Sequence, residues 1–282
     1  MKNLQFLDSL FFNKNLKLVD MKKGLTNKNF LLTIDNEQYV LRVPLQDAQN
    51  IVNRHHETLA LEAIKDAHID VETIYYDEIS GYKVTRYLEH AKTYQECDDQ
   101  DKIIRVAKLM KKFHSLNTTV DTYFDPIQRL EQYRSHVHSP LYEFEYLQDI
   151  LHQIEEMDHH YTLCHNDWVD GNILFVDDDA YLIDYEYAAN NDPLFDVMSF
   201  LSENNIYDET QRQRFYQAYF DHFDQETERN LYLYEALEDA LWCYWAMMMY
   251  ESRHEDIYKN IAEDKIKGYH TVIKKIKRGC DE

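Results

Sequence analysis

One stretch near the middle of the chain restricts the possible folds more than any other. It places Asp167 two residues after His165 and Asn172 five residues after Asp167, and it continues into the apolar segment 173–176. An acidic turn follows, and a second apolar segment ends at Asp184. Two short apolar segments around such a turn predict a β-hairpin. Because paired strands of equal length begin and end side by side, the hairpin would bring Asn172 and Asp184 to the same edge.

The residue types at these three positions match the needs of phosphoryl transfer. One carboxylate accepts the proton of an attacking hydroxyl, while an amide oxygen and a second carboxylate hold the magnesium ion that bridges the phosphates. We therefore predict that Asp167 is the catalytic base and that Asn172 and Asp184 act in catalysis as metal ligands. Each short spacing taken alone also suits a helix cap or a turn. Their joint occurrence with a hairpin between them favours the catalytic interpretation.

Bulk composition excludes several classes of protein. With 282 residues, of which 44% are hydrophobic and 14% aromatic, the chain has material for two packed lobes or one large domain. No run of about 18 apolar residues occurs, so no membrane span is expected. Four scattered cysteines without a C-x-x-C pair argue against a zinc site or a disulfide framework. Since the N-terminus shows no signal-peptide cleavage site, we expect a cytoplasmic protein.

The charge balance narrows the choice of partner. The net charge is −22, from 52 acidic and 30 basic residues. Such a chain repels nucleic acid and anionic membranes, so we expect a small molecule as the partner. Two interpretations of the acidity stay open, because it could attract a cationic substrate or simply keep the protein in solution.

The distribution of strand and helix patterns predicts an α+β fold with two lobes. The first lobe is a small antiparallel sheet with one helix at 50–67. Its strand-like segments are 16–21, 30–34, 39–43 and 82–87. The second lobe is larger and mainly helical, with helices over 101–116, 127–136, 141–157, 211–223 and 231–250. We expect lobes over 1–86 and 91–282, joined by a hinge over 87–90, with a cleft between them.

The central motif occurs in a known family. His165, Asp167 and Asn172, followed by the run 183–188 and by Asn191-Asp192 and Phe195-Asp196, resemble the signature of the choline/ethanolamine kinases, most closely of their bacterial members. That family lies within the wider aminoglycoside-phosphotransferase group, which has the protein-kinase-like fold. The N-terminal runs 24–30 and 39–44 resemble the same family, and the resemblance covers roughly residues 20–250.

The resemblance implies ATP and Mg²⁺ as cofactors, together with a loop that covers the phosphates. That loop would use Gly24, Thr26, Asn27 and Asn29, whose backbone amides and polar side chains donate to anionic oxygens. The loop carries a single glycine, so an ordinary β-turn is the alternative. Asp196 would brace the catalytic residues from outside the motif, with helix capping as the alternative.

Further ATP-binding residues follow from the same resemblance. Arg42 would grip the phosphates while it pairs with a helix carboxylate, for which Glu57 is preferred and Glu62 is the rival. Tyr87 and Leu88 would form the connection between the lobes, whose backbone meets adenine.

The substrate prediction rests on aromatic residues. A quaternary ammonium group neither donates nor accepts hydrogen bonds, so aromatic faces and nearby carboxylates recognise it. Trp242 and Trp245 lie three residues apart, hence on one face of a helix. The resemblance implies that this pair lines a choline pocket, with Glu203 near the ammonium and with Tyr187 and Trp168 as further aromatic candidates. An aromatic stripe on an apolar helix is also typical of plain core packing.

Together these expectations describe an ATP-dependent kinase that phosphorylates the hydroxyl of choline, and less well that of ethanolamine, by direct in-line transfer. Kinases of the same fold that act on thiamine, an aminoglycoside or a sugar stay open as alternatives. A non-catalytic binding protein is the remaining alternative, although it would have no need to retain Asp167, Asn172 and Asp184. A protein kinase is not expected, because no D-F-G or A-P-E element follows the motif. The oligomeric state stays open.

Overall fold

Alternating apolar side chains fold the N-terminal part into a five-stranded antiparallel sheet. The computed structural model describes residues 5–12, 14–21, 27–45 and 54–279. The strands of this sheet are β1 (Leu16–Asp20), β2 (Asn27–Ile34), β3 (Glu37–Pro44), β4 (Thr73–Tyr76) and β5 (Lys83–Arg86). They lie in the order β1-β2-β3-β5-β4. Helix α1 (Gln5–Leu10) and helix α2 (Arg54–Ile64) accompany the sheet, whose small core includes Leu7, Leu41 and Val84.

The rest of the chain is mainly helical. Its helices are α3 (Lys102–His114), α4 (Pro126–His136), α5 (Leu147–Glu155), α6 (Pro193–Glu203), α7 (Glu209–Tyr219), α8 (Gln225–Arg253) and α9 (Asp256–Gly279). Helix α8 is 29 residues long and packs against α4, α5, α6 and α9. Nearly every residue from 231 to 247 of α8 is buried, so this helix forms the axis of the larger core.

Two small sheets position the central motif. Their strands are β6 (Lys92–Thr93), β7 (Thr162–Cys164), β8 (Ile173–Val176), β9 (Asp179–Leu182) and β10 (Ala189–Asn191). Strands β6, β8 and β9 form one sheet, and β7 pairs with β10 in the other. In the β8–β9 pair Ile173 lies opposite Leu182, which confirms the predicted hairpin.

The predicted α+β architecture, a small antiparallel sheet followed by a larger helical part, is confirmed. The helix predicted over 141–157 begins only at Leu147, because Tyr146 before it has left-handed backbone (φ 65°). Helices α6 and α9 were not predicted, although buried residues recur along α9 at helical spacing, at 258, 262, 266, 269 and 273. No helix among the described residues combines the length and the apolarity that a membrane span needs.

Candidate active site

The motif loop, residues 165–172, starts where β7 ends. Asn166 (φ 65°) and, after the hairpin, Asp184 (φ 68°) lie in the left-handed backbone region, which Asn and Asp tolerate better than other residues with a side chain. The Asn166 side chain donates to the carbonyl of Tyr187 (3.0 Å) and accepts from Nδ2 of Asn191 (2.8 Å). Buried amide groups therefore tie the motif loop to the segment that ends in β10.

Asp196, in the first turn of α6, anchors the motif loop. Its carboxylate accepts the backbone N–H groups of His165 (2.8 Å) and Asn166 (2.7 Å), and it lies 3.0 Å from Nε2 of His114. Burial opposes its charge, but the hydrogen bond and positive charge of His114 and the N–H of His165 outweigh burial and lower the pKa of Asp196. Asp192 caps the helix instead, so the bracing role expected for Asp196 is confirmed.

Asp167 and Asn172 are in direct contact. Asn172 Nδ2 donates to both the backbone carbonyl and Oδ2 of Asp167, each at 2.9 Å. Burial raises the pKa of Asp167 well above its ordinary value, and the negative charges of Glu186, Asp184 and Glu203 raise it further, against the hydrogen bond from Asn172. A carboxylate in such a field has a higher proton affinity than an ordinary aspartate.

Arg42 on β3 connects the sheet to the end of the hairpin. Its Nη1 lies 2.6 Å from Oδ1 of Asp184, and its Nη2 lies 2.5 Å from Oε2 of Glu57 on α2. Although burial opposes ionisation of Arg42, the charges of Glu57 and Asp184 raise its pKa. The ion pair thus forms with Glu57, which is fully buried, while Glu62 is exposed on the same helix. Lys83 adds a second cation 3.5 Å from Oε1 of Glu57.

Glu186 is a site residue to which the sequence interpretation gave no role. It is buried, it accepts from Nδ2 of Asn27 at 3.0 Å, and its charge raises the pKa of Asp167. A small pocket is lined by Asn27, Arg42, Pro44, Arg54, Glu57, Gly81 and Glu186. The signal was present in the sequence, because Glu186 follows Asp184 by two residues within the family-like run 183–188.

The remaining predicted ATP-binding residues lie around this pocket only in part. Asn29 is half-buried on β2 opposite Arg42. Tyr87 and Leu88 follow β5, half-buried, and the N–H of Tyr87 donates to the carbonyl of residue 38 at 3.1 Å. Gly24 and Thr26 lie outside the described residues. Contacts of these five residues with a nucleotide stay a prediction.

Three of the aromatic candidates come together on one side of α8. The rings of Trp242 and Trp245 meet edge to face at 6.1 Å, and Tyr187 meets Trp242 edge to face at 5.8 Å. Each tryptophan keeps 7% of its surface exposed, and neither indole N–H has a hydrogen-bond partner among the described residues. We call these three side chains the aromatic cluster.

Glu203, the last residue of α6, is not a free carboxylate. Its Oε1 lies 2.5 Å from Nζ of Lys265 on α9, and the same Nζ lies 3.4 Å from Oδ1 of Asp239 and donates to Ser202 Oγ at 2.9 Å. The negative charge of Glu203 still raises the pKa of Asp167, so it lies within electrostatic reach of the motif loop. The cation Lys265 was not predicted, because α9 was not predicted.

Trp168 departs from its expected position. Its side chain is fully buried and its ring packs edge-on against Phe113 and His165. The N–H of Trp168 donates to Ser199 Oγ at 3.0 Å, which holds the backbone against α6 and directs the ring into the core. The expectation that Trp168 lines the mouth of a substrate pocket is therefore corrected, and core packing accounts for this residue.

Comparisons with known proteins agree with this geometry. A model described as the phosphotransferase enzyme family matches residues 17–234. Protein LicA of Haemophilus influenzae is 29% identical over 248 residues, which is 81% of this chain and 72% of that protein. The solved structure of choline kinase LicA from Streptococcus pneumoniae matches with a TM-score of 0.81 at 23% identity, over 95% of this chain and 97% of the other. A LicA structure in complex with AMP matches with a TM-score of 0.79 at 23% identity, over 95% and 96%.

The structural matches establish a shared two-lobed fold of the protein-kinase-like type. The family match spans well over half of the chain and includes the motif loop, the hairpin and Arg42. The resemblance drawn from the motif is thereby confirmed, and this protein is a phosphotransferase that belongs to the phosphotransferase enzyme family.

Proposed function

We propose that this protein is an ATP-dependent kinase that phosphorylates the hydroxyl group of choline, with ethanolamine as a poorer substrate. The observation that carries the proposal is that the polar residues around Asp167 and the aromatic cluster lie on segments joined by the short run 184–187. Asp167 and Asn172 are hydrogen-bonded to each other and belong to the same site as Asp184 and Arg42, while Tyr187 beyond the hairpin belongs to the aromatic cluster. The name of the similar Streptococcus pneumoniae protein, choline kinase LicA, supports the same substrate.

The nucleotide would bind between the sheet and the helical part. Arg42 would neutralise charge on the phosphates, and Asn27 and Asn29 with the loop before them would cover those phosphates. Tyr87 and Leu88 would meet adenine at the hinge over 87–90, between lobes over 1–86 and 91–282. The AMP complex of a similar LicA supports a nucleotide site in this fold. Use of ATP is the reason why we infer a cytoplasmic location.

The donor atoms of the site suit a magnesium ion. Asn172 turns its amide nitrogen to Asp167, so its oxygen is left for a cation. Together with the carboxylates of Asp184 and Glu186 it makes a set of hard oxygen ligands, which Mg²⁺ prefers. When bound, the ion would neutralise charge on the phosphates during transfer.

Asp167 would orient the substrate hydroxyl and take its proton during in-line attack on the γ-phosphate. The raised pKa of Asp167 supports that role, since a carboxylate with a higher pKa is a stronger base. A cationic substrate and a bound metal would each favour the ionised form of Asp167. Binding of a cationic substrate would therefore increase the ionised fraction of Asp167, which is the form that accepts the proton.

The aromatic cluster would receive the head group. The ring faces of Tyr187, Trp242 and Trp245 would attract a quaternary ammonium through the ring quadrupole. Because Lys265 is already paired with Glu203, that carboxylate would act on the head group only as part of a neutralised pair.

An ATP-consumption assay with choline, ethanolamine, thiamine and an aminoglycoside in parallel tests the proposal. We expect the highest kcat/KM with choline, and phosphocholine as the product by phosphorus NMR. Turnover of thiamine or the aminoglycoside without turnover of choline would transfer the proposal to that substrate class. No ATP consumption with any of the four would contradict the proposed substrate class altogether.

A further inference from the structure

Helix α8 carries a buried carboxyl group, that of Glu238. The residue is fully buried, and neither of its carboxyl oxygens has a hydrogen-bond partner among the described residues. A buried acid without a partner is costly, so a group of this kind in a folded protein needs an explanation. A ligand that the structure does not contain is one such explanation.

Lys265 is the cation whose charge lowers the pKa of Glu238, and it already contacts other groups. Its Nζ lies 2.5 Å from Glu203 and 3.4 Å from Asp239, and it also donates to Ser202. The structure gives no such contact between Lys265 and Glu238 within the described residues. The ionised form of Glu238 would therefore lack an ion-pair partner among these residues.

Glu238 lies on the same face of α8 as the aromatic cluster. Residues separated by four and by seven positions share a helix face, so Glu238 precedes Trp242 and Trp245 along one stripe. The indole N–H groups of both tryptophans also lack partners among the described residues. This stripe therefore carries a carboxyl group without a hydrogen-bond partner among the described residues on the same helix face as two aromatic rings. The ionised form of that group, together with such rings, is the combination that an organic ammonium group requires.

Glu203 links Glu238 electrostatically to Asp167, the proposed base. The charge of Glu203 raises the pKa of both Asp167 and Glu238, so Glu203 lies within electrostatic reach of each. A small cationic alcohol has its hydroxyl and its ammonium separated by two carbon atoms. In such a molecule the head group lies close to the reacting hydroxyl, so a head-group residue should lie within electrostatic reach of the residues around the base.

We infer that Glu238 is a specificity-determining residue that binds the cationic head group of the substrate, an inference that rests on the proposed function. A quaternary ammonium would be held by charge and by the neighbouring rings, whereas a primary ammonium could also donate hydrogen bonds to Glu238. Lys265 keeps Glu203 neutralised, so the head group meets one free carboxylate. This arrangement selects an organic cation over a neutral alcohol of the same shape.

The proton balance of binding follows from the surroundings of Glu238. Burial raises the pKa of Glu238 well above its ordinary value, with Glu203 and Asp196 from α6 and Asp239 from α8 acting in the same direction and Lys265 from α9 opposing them. Without substrate these surroundings therefore favour the protonated form of Glu238. A fixed positive charge beside it favours the ionised form, so binding of choline releases that proton to solvent.

The variant Glu238→Gln tests the inference, because glutamine has the shape of the protonated acid and cannot become an anion. The probes are choline and 3,3-dimethylbutan-1-ol, its neutral isostere, with binding followed by tryptophan fluorescence, since Trp242 and Trp245 are two of the three tryptophans. We expect E238Q to weaken choline binding at least about tenfold and to change binding of the isostere less than about twofold. Glu226→Gln removes the same charge at the exposed start of α8 and should change neither.

If E238Q weakens the binding of choline and of the isostere equally, Glu238 has a packing role and the inference is overturned. Unchanged choline binding would also overturn it. If E238Q fails to fold, titration calorimetry of choline binding in two buffers of different ionisation enthalpy decides instead. This calorimetry uses the Asp167→Asn variant, so that the carboxyl group of Asp167 cannot supply the released proton. Proton release with choline and none with the isostere supports the inference, and equal heats in both buffers overturn it.

The wild-type choline assay reports separately on the proposed function. Choline turnover by the wild type together with an unaffected E238Q would leave the proposed function standing and overturn only the inference. Failure of the wild type to bind any cationic alcohol would overturn both.

Discussion

The motif loop and the aromatic cluster differ in how their buried polar groups are satisfied. In and around the motif loop Asn166, Asn172 and Asp196 each form hydrogen bonds that hold the loop in place. On the face of α8 that carries the aromatic cluster, Glu238 and the indole groups of Trp242 and Trp245 have no such partners among the described residues. The protein itself preorganises these three residues of the first region, whereas our proposal is that a ligand completes the second.

The largest effect is expected at the preorganised region. Asp167→Ala should lower kcat by roughly two to four orders of magnitude, because the proton acceptor is removed, while the KM for ATP stays nearly unchanged. Steady-state kinetics measures both constants. Asp178→Ala, in the exposed hairpin turn between Asn172 and Asp184, is the matched control and should retain activity. Near-normal turnover by Asp167→Ala would refute the assignment of the base.

The next effect concerns the buried ion pair beside the hairpin. Glu57→Ala leaves Arg42 and Lys83 without their shared carboxylate, and breaking a buried pair in this way costs about 3–5 kcal/mol of unfolding free energy. Urea denaturation measures the loss. Glu62→Ala on the same helix removes an exposed carboxylate and should change stability by less than about 0.5 kcal/mol. Equal losses in the two variants would mean that the pair does not hold α2 to the sheet.

A smaller and more selective effect is expected at the aromatic cluster. Trp242→Ala and Trp245→Ala should each raise the KM for choline by about 2- to 30-fold, which corresponds to the loss of one cation–π contact, and leave the KM for ATP unchanged. Tyr244→Ala truncates an equally buried aromatic of α8 that packs on Phe144 instead, and its KM for choline should not change. If all three variants lose stability and retain the wild-type KM, the cluster is core packing alone.

The smallest effect is a pH dependence of stability at Asp196. The pKa of Asp196 is lowered in the folded state, so its contribution is present above the pKa of the unfolded chain, near 3.9, and is lost as the pH falls through the folded pKa. Unfolding free energies measured across this acid range should fall less steeply for Asp196→Asn than for the wild type. Identical slopes would show that the hydrogen bonds to the motif loop do not depend on its ionisation.

The sequence predicted the hairpin and its three polar residues because the contacts that define them are local. Asn172 and Asp184 are separated by one pair of short strands, whose apolar residues and intervening acidic turn are visible directly. The preference for Glu57 over Glu62 came from the family resemblance, and the buried ion pair with Arg42 agrees with it. Trp168 was placed wrongly because its neighbour in sequence, Asp167, says nothing about where α6 holds the backbone.

What the sequence by itself determined is the fold class and the chemistry of the central motif, because both depend on short-range patterns of apolar and polar residues. Only the tertiary structure decided that Arg42 pairs with Asp184, 142 residues away, and that Lys265 pairs with Glu203. It also decided that Glu238 has no hydrogen-bond partner among the described residues. These contacts join elements that are distant in the chain, and packing selects among several acids and cations of equal local merit. The physical reason is that these side chains become buried only after the helices have packed. Burial then makes an unpaired charge costly, so it decides which charged groups must pair.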